Sequence, residues 1–597
     1  MISVKINGVN IEVEKGTSIL DATKKLNINL PTLCHMYMVD GKTRNCKGTC
    51  RVCVVEVEGW DGLVPACATE VREGMSIKTN SLKAIRARRT IVELLLSNHP
   101  KDCLNCDKNM DCELQKLAAD LGIDENKYEG EKVKFDLDVS DGFIRDREKC
   151  ILCRRCVTAC NDIQKIHAIT VANRGFGTNI STFSNDSINE TNCTYCGQCV
   201  AVCPTGALRE KSDYKKVWGV LDDNNKYVVA QIAPAVRSAL AEEFGLEPGE
   251  LSTGKIVTAL KLLSFDSVFD TNFAADLTIM EEANEFVNRL TKGGDLPIMT
   301  SCCPAWVNFC ESQYPDLTKY LSTCRSPQSM FSPVARYYFA DKVLGKKADE
   351  VIVMSIMPCI AKKYEVAREE LGKDGIIDTD LSLTVRELAR MIKEAGIDLS
   401  TIEEAEFDSP LGYSTGAADI FGVTGGVLEA ALRTAYTDVT KEELPDDAIE
   451  FKAVRGFEGI KEATVNVGGT DVNVVAASSL GCARKLMDEL RADLAAGKAP
   501  KYHIIEIMAC PGGCVAGGGQ PFHGGDYEKV KARGAGLYAI DANKPKRKSH
   551  QNEDIKKLYA EFLGERGGHN AHTYLHTHYF DRSNPYAKKT EAECTAD

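Results

Sequence analysis

The sequence predicts a multidomain protein that joins α+β units to a large α/β unit. The chain has 597 residues and 25 cysteines; sixteen of them lie before residue 204, most at gaps of two and three residues, and five more occur in three distant segments after it. Beyond residue 213, apolar runs such as 227–233 alternate with helical patterns such as 254–263, which is typical of α/β units. We expect four parts: residues 1–80, 81–125, 126–212 and 213–597.

The composition disfavours several classes of partner and location. Charged residues make up 27% of the chain and the net charge is −13, so nucleic acid and an anionic membrane are not expected partners. No apolar run approaches a membrane span, and the alternating start from Met1 to Gly8 does not read as a signal peptide. An odd cysteine count without a secretion signal disfavours a disulfide framework. We therefore expect a cytoplasmic, metal-binding protein.

Residues 1–80 begin with two alternating runs around Asn7-Gly8, which predict a β-hairpin, and a helix from Ser18 to Leu26 should follow. Their cysteines resemble the 2Fe-2S ferredoxin arrangement of one isolated cysteine, a C-x2-C pair and a distant fourth. The resemblance implies a β-grasp, ferredoxin-like domain with these ligands: Cys34, Cys50, Cys53 and Cys67. Cys46 could replace Cys50 in another register, and four buried structural cysteines are the alternative without metal.

Residues 81–125 open with a helical pattern over 84–96. A histidine and three cysteines then follow at x3, x2 and x5 spacing, namely His99, Cys103, Cys106 and Cys112. This spacing resembles the ligation of a 4Fe-4S cluster by one His and three Cys in respiratory-complex and hydrogenase subunits. We expect a small helical domain around such a cluster. Zinc is the competing metal, since the same donor set suits it.

Residues 126–142 are charged and aperiodic, which predicts a linker. The C-x2-C-x2-C-x3-C pattern then occurs twice, and Pro204 follows the second copy. This repeat resembles the bacterial two-cluster ferredoxins, in which the fourth cysteine of each run ligates the other cluster. The expected ligands of the first 4Fe-4S cluster are Cys150, Cys153, Cys156 and Cys203. Those of the second are Cys193, Cys196, Cys199 and Cys160.

Three later segments carry the remaining chemistry: residues 300–306, 357–363 and 507–521. The first two place a cysteine beside a proline near the end of an apolar run, which predicts a loop leaving a buried strand. The third holds two cysteines among five glycines. Thiolates with exposed backbone N–H groups suit an anionic iron–sulfur centre. Together the segments resemble the active-site signatures of the FeFe hydrogenases.

This resemblance covers nearly the whole chain and implies a large two-lobed α/β catalytic domain with a C-terminal tail. It implies one 2Fe-2S and four 4Fe-4S clusters, the last of these a cubane on Cys303, Cys359, Cys510 and Cys514. Cys514 would also bridge to a di-iron centre that carries CO, cyanide and an azadithiolate. The positions that resemble contacts to this centre are Lys362, Ala233, Pro234, Gln328, Met357, Met508 and Phe421.

Heterolytic H2 cleavage also needs titratable side chains within hydrogen-bond reach of each other, which lead the proton out of a dry core. The resembling positions are Cys302, Glu282, Ser322, Glu285 and Arg289. The two glutamates share one face if their segment is helical, and a solvated helix face is their alternative interpretation. The tail carries four histidines, His569, His572, His576 and His578. The tails of the resembling family pack on the catalytic domain, so we expect packing here, and a metal cluster is the alternative interpretation.

The chain has no Gly-rich nucleotide fingerprint, so it is not expected to reduce NAD(P) itself. The resemblance to NAD(P)-linked, electron-bifurcating hydrogenases implies flavin- and NAD(P)-binding partner subunits, a small iron–sulfur subunit and ferredoxin, with H2 and protons as substrates. A non-catalytic H2 sensor or hydrogenase-like iron–sulfur protein is the alternative. A respiratory-complex subunit would explain only residues 1–215.

Overall fold

The structure, a computed structural model, describes residues 1–39, 45, 48–125, 127–445, 448–457 and 459–584. Cys46, the alternative ligand to Cys50, and Cys594 lie outside the described residues. No helix of the described ranges combines the length and the apolar character needed to cross a bilayer.

The first part is a five-stranded sheet with one helix. Its elements are β1 (Ile2–Ile6), β2 (Val9–Val13), α1 (Ile19–Lys24), β3 (Val54–Val57), β4 (Leu63–Pro65) and β5 (Ser76–Lys78). The strand order is β2-β1-β5-β3-β4, in which β1 and β5 run parallel. The predicted hairpin at Asn7-Gly8 and the helix capped by Ser18 are confirmed. Val4, Ile6 and the α1 side chains Ile19 and Leu20 belong to one buried cluster, so the sheet buries one face beneath α1.

Two helices follow, α2 (Leu82–Asn98) and α3 (Glu113–Asp120). The helix predicted over 84–96 is confirmed, and Val92 packs with Leu114 and Leu117 in a buried cluster. α2 ends at His99, whose backbone is extended because it precedes Pro100.

The next elements are short and surround loops: β6 (Asp138–Val139), β7 (Phe143–Arg145), α4 (Arg155–Thr158), β8 (Thr170–Ala172), β9 (Asn179–Ser181), α5 (Gln198–Ala201) and β10 (Leu208–Glu210). They form the sheets β10-β7-β6 and β8-β9. The linker predicted for 126–142 is wrong at its end, where β6 pairs with β7. A nearly buried ion pair between Asp138 and Arg145, 2.9 Å apart, holds this strand in place.

The remaining chain builds two α/β lobes and a helical tail. Its elements are α6 (Tyr214–Leu221), β11 (Tyr227–Ile232), α7 (Thr253–Leu262), β12 (Ser267–Asp270), α8 (Thr271–Lys292), β13 (Ile298–Met299), α9 (Pro304–Gln313), α10 (Pro327–Pro333), β14 (Val351–Met357), α11 (Ala361–Val366), β15 (Gly372–Lys373), β16 (Ile376–Ile377), β17 (Leu381–Thr384), α12 (Val385–Glu394), α13 (Gly416–Asp419), α14 (Gly426–Thr440), β18 (Ile460–Val467), β19 (Thr470–Ser478), α15 (Leu480–Ala495), β20 (Ile504–Met508), α16 (Tyr527–Asn543), α17 (Glu553–Leu558) and α18 (His569–Leu575).

Each lobe contains a four-stranded sheet. One has the order β12-β11-β14-β17 with all strands parallel. The other has the order β13-β20-β19-β18, in which only the outer β18–β19 pair is antiparallel. The predicted two-lobed α/β architecture is therefore confirmed, and the predicted strands over 227–233 and 351–356 are β11 and β14.

The topology decides where distant loops meet. The carboxyl ends of β11 and β14 lead into residues 233–234 and 358–359, and those of β13 and β20 lead into residues 300–303 and 509–514. Crevices at the carboxyl ends of parallel strands are where α/β proteins place their ligands. All three cysteine segments of the catalytic part, together with the loop at 233–234, thus leave strands at such ends.

Candidate active site and cluster sites

An apolar cavity with about 800 Å³ of empty space lies where these strands end. Its wall contains five thiols from three segments: Cys302, Cys303, Cys359, Cys510 and Cys514. Burial, together with the neighbouring Cys303, raises the pKa of Cys514 to about 12. Such thiols ionise only beside a cation, and four of them converging on one space match the donor set of a 4Fe-4S cubane.

The backbone around Cys303 complements a charged sulfur. Cys303 is the N-terminal cap of α9. Burial raises the pKa of its thiol, and hydrogen bonds from the backbone N–H groups of Ala305, Trp306 and Ala509 to its sulfur partly offset that increase. A helix N-terminus and aligned N–H groups stabilise negative charge. This thiol is thus prepared to act as a thiolate ligand.

The glycine run allows three loops to touch through their backbones. A Cβ on Gly517 would lie 2.1 Å from the Pro358 carbonyl oxygen, and one on Gly518 would lie 2.7 Å from the Cα of Gly197. The loops of Cys514, Cys359 and Cys196 are therefore in direct contact. Cys196 itself lines the cavity, a placement that motif spacing did not predict because it depends on how two domains pack.

The positions expected to contact the centre all line the same cavity: Ala233, Pro234, Gln328, Met357, Lys362, Phe421 and Met508. The Lys362 Nζ lies 2.7 Å from the Ser326 Oγ, 2.7 Å from the Glu365 Oε2 and 3.4 Å from the Cys302 carbonyl oxygen. The Gln328 Nε2 donates to the same Glu365 oxygen at 2.9 Å. Sequence reasoning missed Glu365, although its spacing three residues after Lys362 on α11 was an available signal.

The doubled cysteine motif forms two further cavities. One is lined by Cys150, Cys153, Cys156 and Cys203, and the other by Cys160, Cys193, Cys196 and Cys199. Each set takes three cysteines from one run and the fourth from the other run, as the motif predicts. Cys196 belongs to the second set and also to the wall of the catalytic cavity, so the two sites are adjacent.

His99, Cys103, Cys106 and Cys112 line a smaller cavity together. Burial lowers the pKa of His99 to about 4, and repulsion from Lys149 contributes, so the imidazole is neutral at pH 7. Its Nδ1 is buried and has no hydrogen-bond partner among the described residues. A buried ring nitrogen of this kind fits a metal-bound ligand, because a metal would supply the missing partner.

The four cysteines of the first part also come together. Cys50 lies within hydrogen-bond reach of Cys34, and Cys53 within reach of Cys67. The Gly48 N–H points at the Cys67 sulfur at 3.2 Å. The arrangement fits a small cluster held by four thiolates with backbone support.

The proton-relay candidates lie side by side next to the catalytic cavity. Glu282 on α8 is 5% exposed, so the solvated-face interpretation is wrong for it. Burial, together with repulsion from Glu285, raises its pKa to about 8. The Ser322 Oγ donates to the Glu285 Oε2 at 2.9 Å, and the Arg289 Nη2 donates to the Glu285 Oε1 at 2.5 Å. Burial is the largest cause that raises the pKa of Cys302, and repulsion from Glu282 is the next largest.

The tail histidines divide between surface and interior. His572 and His578 are exposed, whereas His576 is buried and contacts Thr323 and Glu281. One trio of metal-type donor atoms within the described ranges lies inside 4.8 Å, and it consists of Glu285, Cys324 and His576. It contains one tail histidine, so the four histidines do not meet at one metal site in the described ranges, and buried His576 packs on the catalytic part as expected.

Four cysteine-lined cavities, one of them deep between two α/β lobes, define an iron–sulfur oxidoreductase with a buried catalytic metal centre. Residues 226–518 match the family described as the iron only hydrogenase large subunit, C-terminal domain. Other matches are the iron hydrogenase small subunit at 527–582, a 2Fe-2S iron-sulfur cluster binding domain at 1–81, the NADH-ubiquinone oxidoreductase-G iron-sulfur binding region at 88–127, and a 4Fe-4S dicluster domain at 149–207.

The chain is 50% identical over 589 residues to the NADP-reducing hydrogenase subunit HndD of Solidesulfovibrio fructosivorans, covering 98% of this chain and 99% of that protein. It is 40% identical to iron hydrogenase 1 of Clostridium pasteurianum, over 97% and 100% of the two chains. A structure of the FeFe-hydrogenase HydA1 from Chlamydomonas reinhardtii is similar with a TM-score of 0.55 and 39% identity, over 62% of this chain and 99% of that one. The chain belongs to the FeFe hydrogenase large-subunit family, and it is a hydrogenase with 2Fe-2S and 4Fe-4S domains.

Proposed function

We propose that this protein oxidises H2 and reduces protons reversibly, and that it exchanges the electrons with partner subunits that reduce NAD(P) and ferredoxin. The observation that carries the proposal is the convergence of four distant cysteines on one apolar cavity that also touches Cys196 of the cluster domain. A relative that is 50% identical over nearly the whole chain is named as an NADP-reducing hydrogenase subunit, which supports the nucleotide-linked assignment.

Cys303, Cys359, Cys510 and Cys514 would hold a 4Fe-4S cubane, and Cys514 would also hold a di-iron group with CO, cyanide and azadithiolate. When bound, that group supplies the Lewis-acidic iron and the base that heterolytic H2 cleavage needs. The protein's part is to exclude water and to supply donors. Lys362, kept charged by Glu365, lines the cavity together with the loop 233–235. Its Nζ and the backbone N–H of Ala235 would be the donors to anionic ligands, since Pro234 has no N–H and the Ala233 N–H donates to the Ile356 carbonyl oxygen.

Protons would leave through Cys302, Glu282, Ser322, Glu285 and Arg289. At pH 7 the raised pKa keeps Glu282 protonated, so its carboxyl group can donate on one side and accept on the other. Ser322 joins it to Glu285 because the serine hydroxyl bonds both carboxyl groups. Arg289 pairs with Glu285 near the surface, where protons would be exchanged with water.

Electrons would travel by a forked route. The amide of Asn45 donates to the carbonyl oxygens of Cys34 and Cys153, at 2.6 and 2.8 Å, which joins the 2Fe-2S site to the first ferredoxin-like site. Gly206 packs so close to Cys106 that a Cβ there would lie 2.7 Å from its sulfur, which joins the His99 site to the same place.

The onward route from the fork leads through the second ferredoxin-like site. Cys196 lines both this site and the catalytic cavity, so electrons reach the cavity next to the cubane ligands. The proposal thus assigns five clusters, in units 1–80, 81–125, 126–212 and 213–597, to a cytoplasmic chain. Flavin and nucleotide are bound by other subunits.

A single ligand substitution in the intact complex tests this assignment. Cys53→Ser should abolish NAD(P)-linked H2 turnover but spare H2 evolution from reduced methyl viologen, which delivers electrons to clusters closer to the cavity. Cys46→Ser is the matched control and should change neither rate. Loss of both activities in Cys53→Ser, with a normal iron content at the other cluster sites, would contradict the proposed electron-transfer route. Absence of H2 turnover in the iron-loaded wild type would contradict the proposed function itself.

A further inference from the structure

A second chain of polar groups leaves Glu285 and runs toward the C-terminal tail. The Thr323 hydroxyl donates to the Glu285 Oε2 at 3.3 Å. The Nδ1 of His576 lies 2.8 Å from the same hydroxyl, and its Nε2 lies 3.1 Å from the Glu281 Oε2. Carboxylate, hydroxyl, imidazole and a second carboxylate thus form one continuous series of contacts.

Glu281 is held as an anion beside the imidazole. Burial acts to raise the pKa of Glu281, but hydrogen bonds from His576 and Tyr559 outweigh it and keep the pKa below its ordinary value. The backbone N–H of Gly567 also donates to Glu281 at 2.9 Å. A carboxylate fixed in this way accepts the Nε2–H and so orients the imidazole ring.

His576 lies between the relay and the surface. His576 is 8% exposed. The centroid of its ring lies 4.3 Å from the ring centroid of His572, which is exposed. An antiparallel bridge between Cys324 and His576 fixes the tail against the loop that carries Thr323. The titratable groups around the imidazole are Glu281, Glu285, Cys324 and His572, and Tyr559 bonds Glu281 on its other side.

We propose that Thr323 and His576 form a second mouth of the proton path, in which His576 collects protons from the side of His572 and delivers them to Glu285. The imidazolium gives its Nδ1 proton to the Thr323 oxygen while the Thr323 hydroxyl gives its own proton to Glu285. The neutral ring is then reprotonated from solvent on the side of His572. No electron moves in these steps, and each proton given by the ring is replaced from water.

This inference rests on the proposed function, because the protons are delivered to Glu285, which is a member of the proposed relay. It differs from the relay in using two residues, Thr323 and His576, that are not members of the series from Cys302 to Arg289. Glu281 is a positioning residue, since it acts through His576.

The test uses the matured, full-length enzyme in its complex, with H2 evolution from reduced methyl viologen measured across pH 5 to 9. His576→Gln keeps a polar side chain that cannot carry a proton, and Thr323→Val removes the hydroxyl at similar volume. We expect each to slow turnover by about 3- to 10-fold, less than the roughly 100-fold expected from losing a sole proton-transfer group. Thr323→Ser should retain the wild-type rate, and His578→Gln is the matched control at an exposed tail histidine.

Chemical rescue separates proton delivery from structure. Millimolar imidazole should restore the rate of His576→Ala but not that of Thr323→Val, and the iron content and infrared spectrum should match the wild type. Wild-type rates and pH profiles in His576→Gln and Thr323→Val would overturn the second mouth. A loss that imidazole does not rescue, or one accompanied by iron loss, would assign His576 a structural role and overturn it equally. Slow turnover in Glu282→Gln with unaffected tail variants would leave the main relay standing and refute the branch alone.

Discussion

The proposed electron side and the proposed proton side of the catalytic cavity are built by opposite means. On the electron side, thiols and glycine backbones pack so tightly that Gly517 and Gly518 have no space for a Cβ. On the proton side, carboxyl and hydroxyl groups such as Glu282 and Ser322 form contacts that a proton can cross without any backbone approach. The comparison teaches that one side depends on distances set by the backbone and the other on the chemistry of side chains.

The largest effect should come from removing a cubane ligand on the electron side. Cys510→Ser replaces a thiolate with a poor iron ligand inside a cavity of buried thiols, so we expect loss of detectable H2 turnover together with loss of iron from that site. Iron analysis and dye-linked H2 evolution measure it. Cys482→Ser, at a half-buried cysteine of α15 that does not line the cavity, should behave like the wild type. A fully active Cys510→Ser enzyme would refute the ligand assignment.

The proton side should lose rate without losing metal. We expect Glu282→Gln to slow dye-linked H2 evolution by at least about 100-fold, as for loss of a positioned proton-transfer group, while iron content stays unchanged. Glu528→Gln, on the surface of α16, serves as the control. Iron loss in Glu282→Gln would mean that the carboxyl group supports the cluster rather than the proton.

The pH dependence of H2 evolution sharpens the same point. The carboxyl group of Glu282, with a pKa of about 8, is protonated below that pH and ionises above it, so the rate should fall as pH rises through about 8. After burial, Glu285 is the main cause of the raised pKa. Glu285→Gln removes that repulsion, so the midpoint of the fall should move to lower pH. A midpoint that stays in place would show that another group titrates.

Zinc should inhibit the proton side more than the electron side. The oxygen, sulfur and nitrogen atoms of Glu285, Cys324 and His576 lie within 4.8 Å of one another, a donor set that suits Zn²⁺. Added Zn²⁺ should slow dye-linked turnover reversibly, and Cys324→Ala should raise the inhibitory concentration at least about 10-fold, as for loss of support at a metal site. Equal sensitivity in the variant would place the zinc elsewhere.

The smallest effect is expected at the fork of the electron route. Asn45→Ala removes the two hydrogen bonds that join the backbones of Cys34 and Cys153. NAD(P)-linked turnover in the complex should fall a few-fold while dye-linked turnover stays unchanged. A larger loss in the dye-linked assay would show that Asn45 supports folding rather than electron transfer.

Local patterns were enough to predict the cluster sites but not the catalytic pocket. The ligands from Cys150 to Cys203 occur at short gaps that a single loop can wrap around a cluster, and the structure groups them as the motif predicts. The convergence of Cys303, Cys359 and Cys510 depends on parallel strands separated by long stretches of chain, so it followed only from the resemblance to a family.

Contacts between distant elements were also beyond the sequence. The pairing of Glu281 with His576 joins residues 295 positions apart, and no periodicity links α8 to the tail. The strand at Asp138–Val139 was missed because its stability comes from the buried partner Arg145, whereas the local composition is that of a linker. Tertiary partners, rather than propensity, decide such segments.

The contact between Gly518 and Gly197 has a mechanical consequence. The two backbones meet with no side chain between them, so no side-chain rearrangement can accommodate a relative movement at this contact. The electron-transfer domains and the catalytic lobes should therefore move as one rigid body during turnover. Redox partners must therefore bind to a rigid series of cluster sites from outside. Fusing or exchanging domains at residues 197 or 518 would separate the cluster-binding domains from the catalytic domain and interrupt electron transfer.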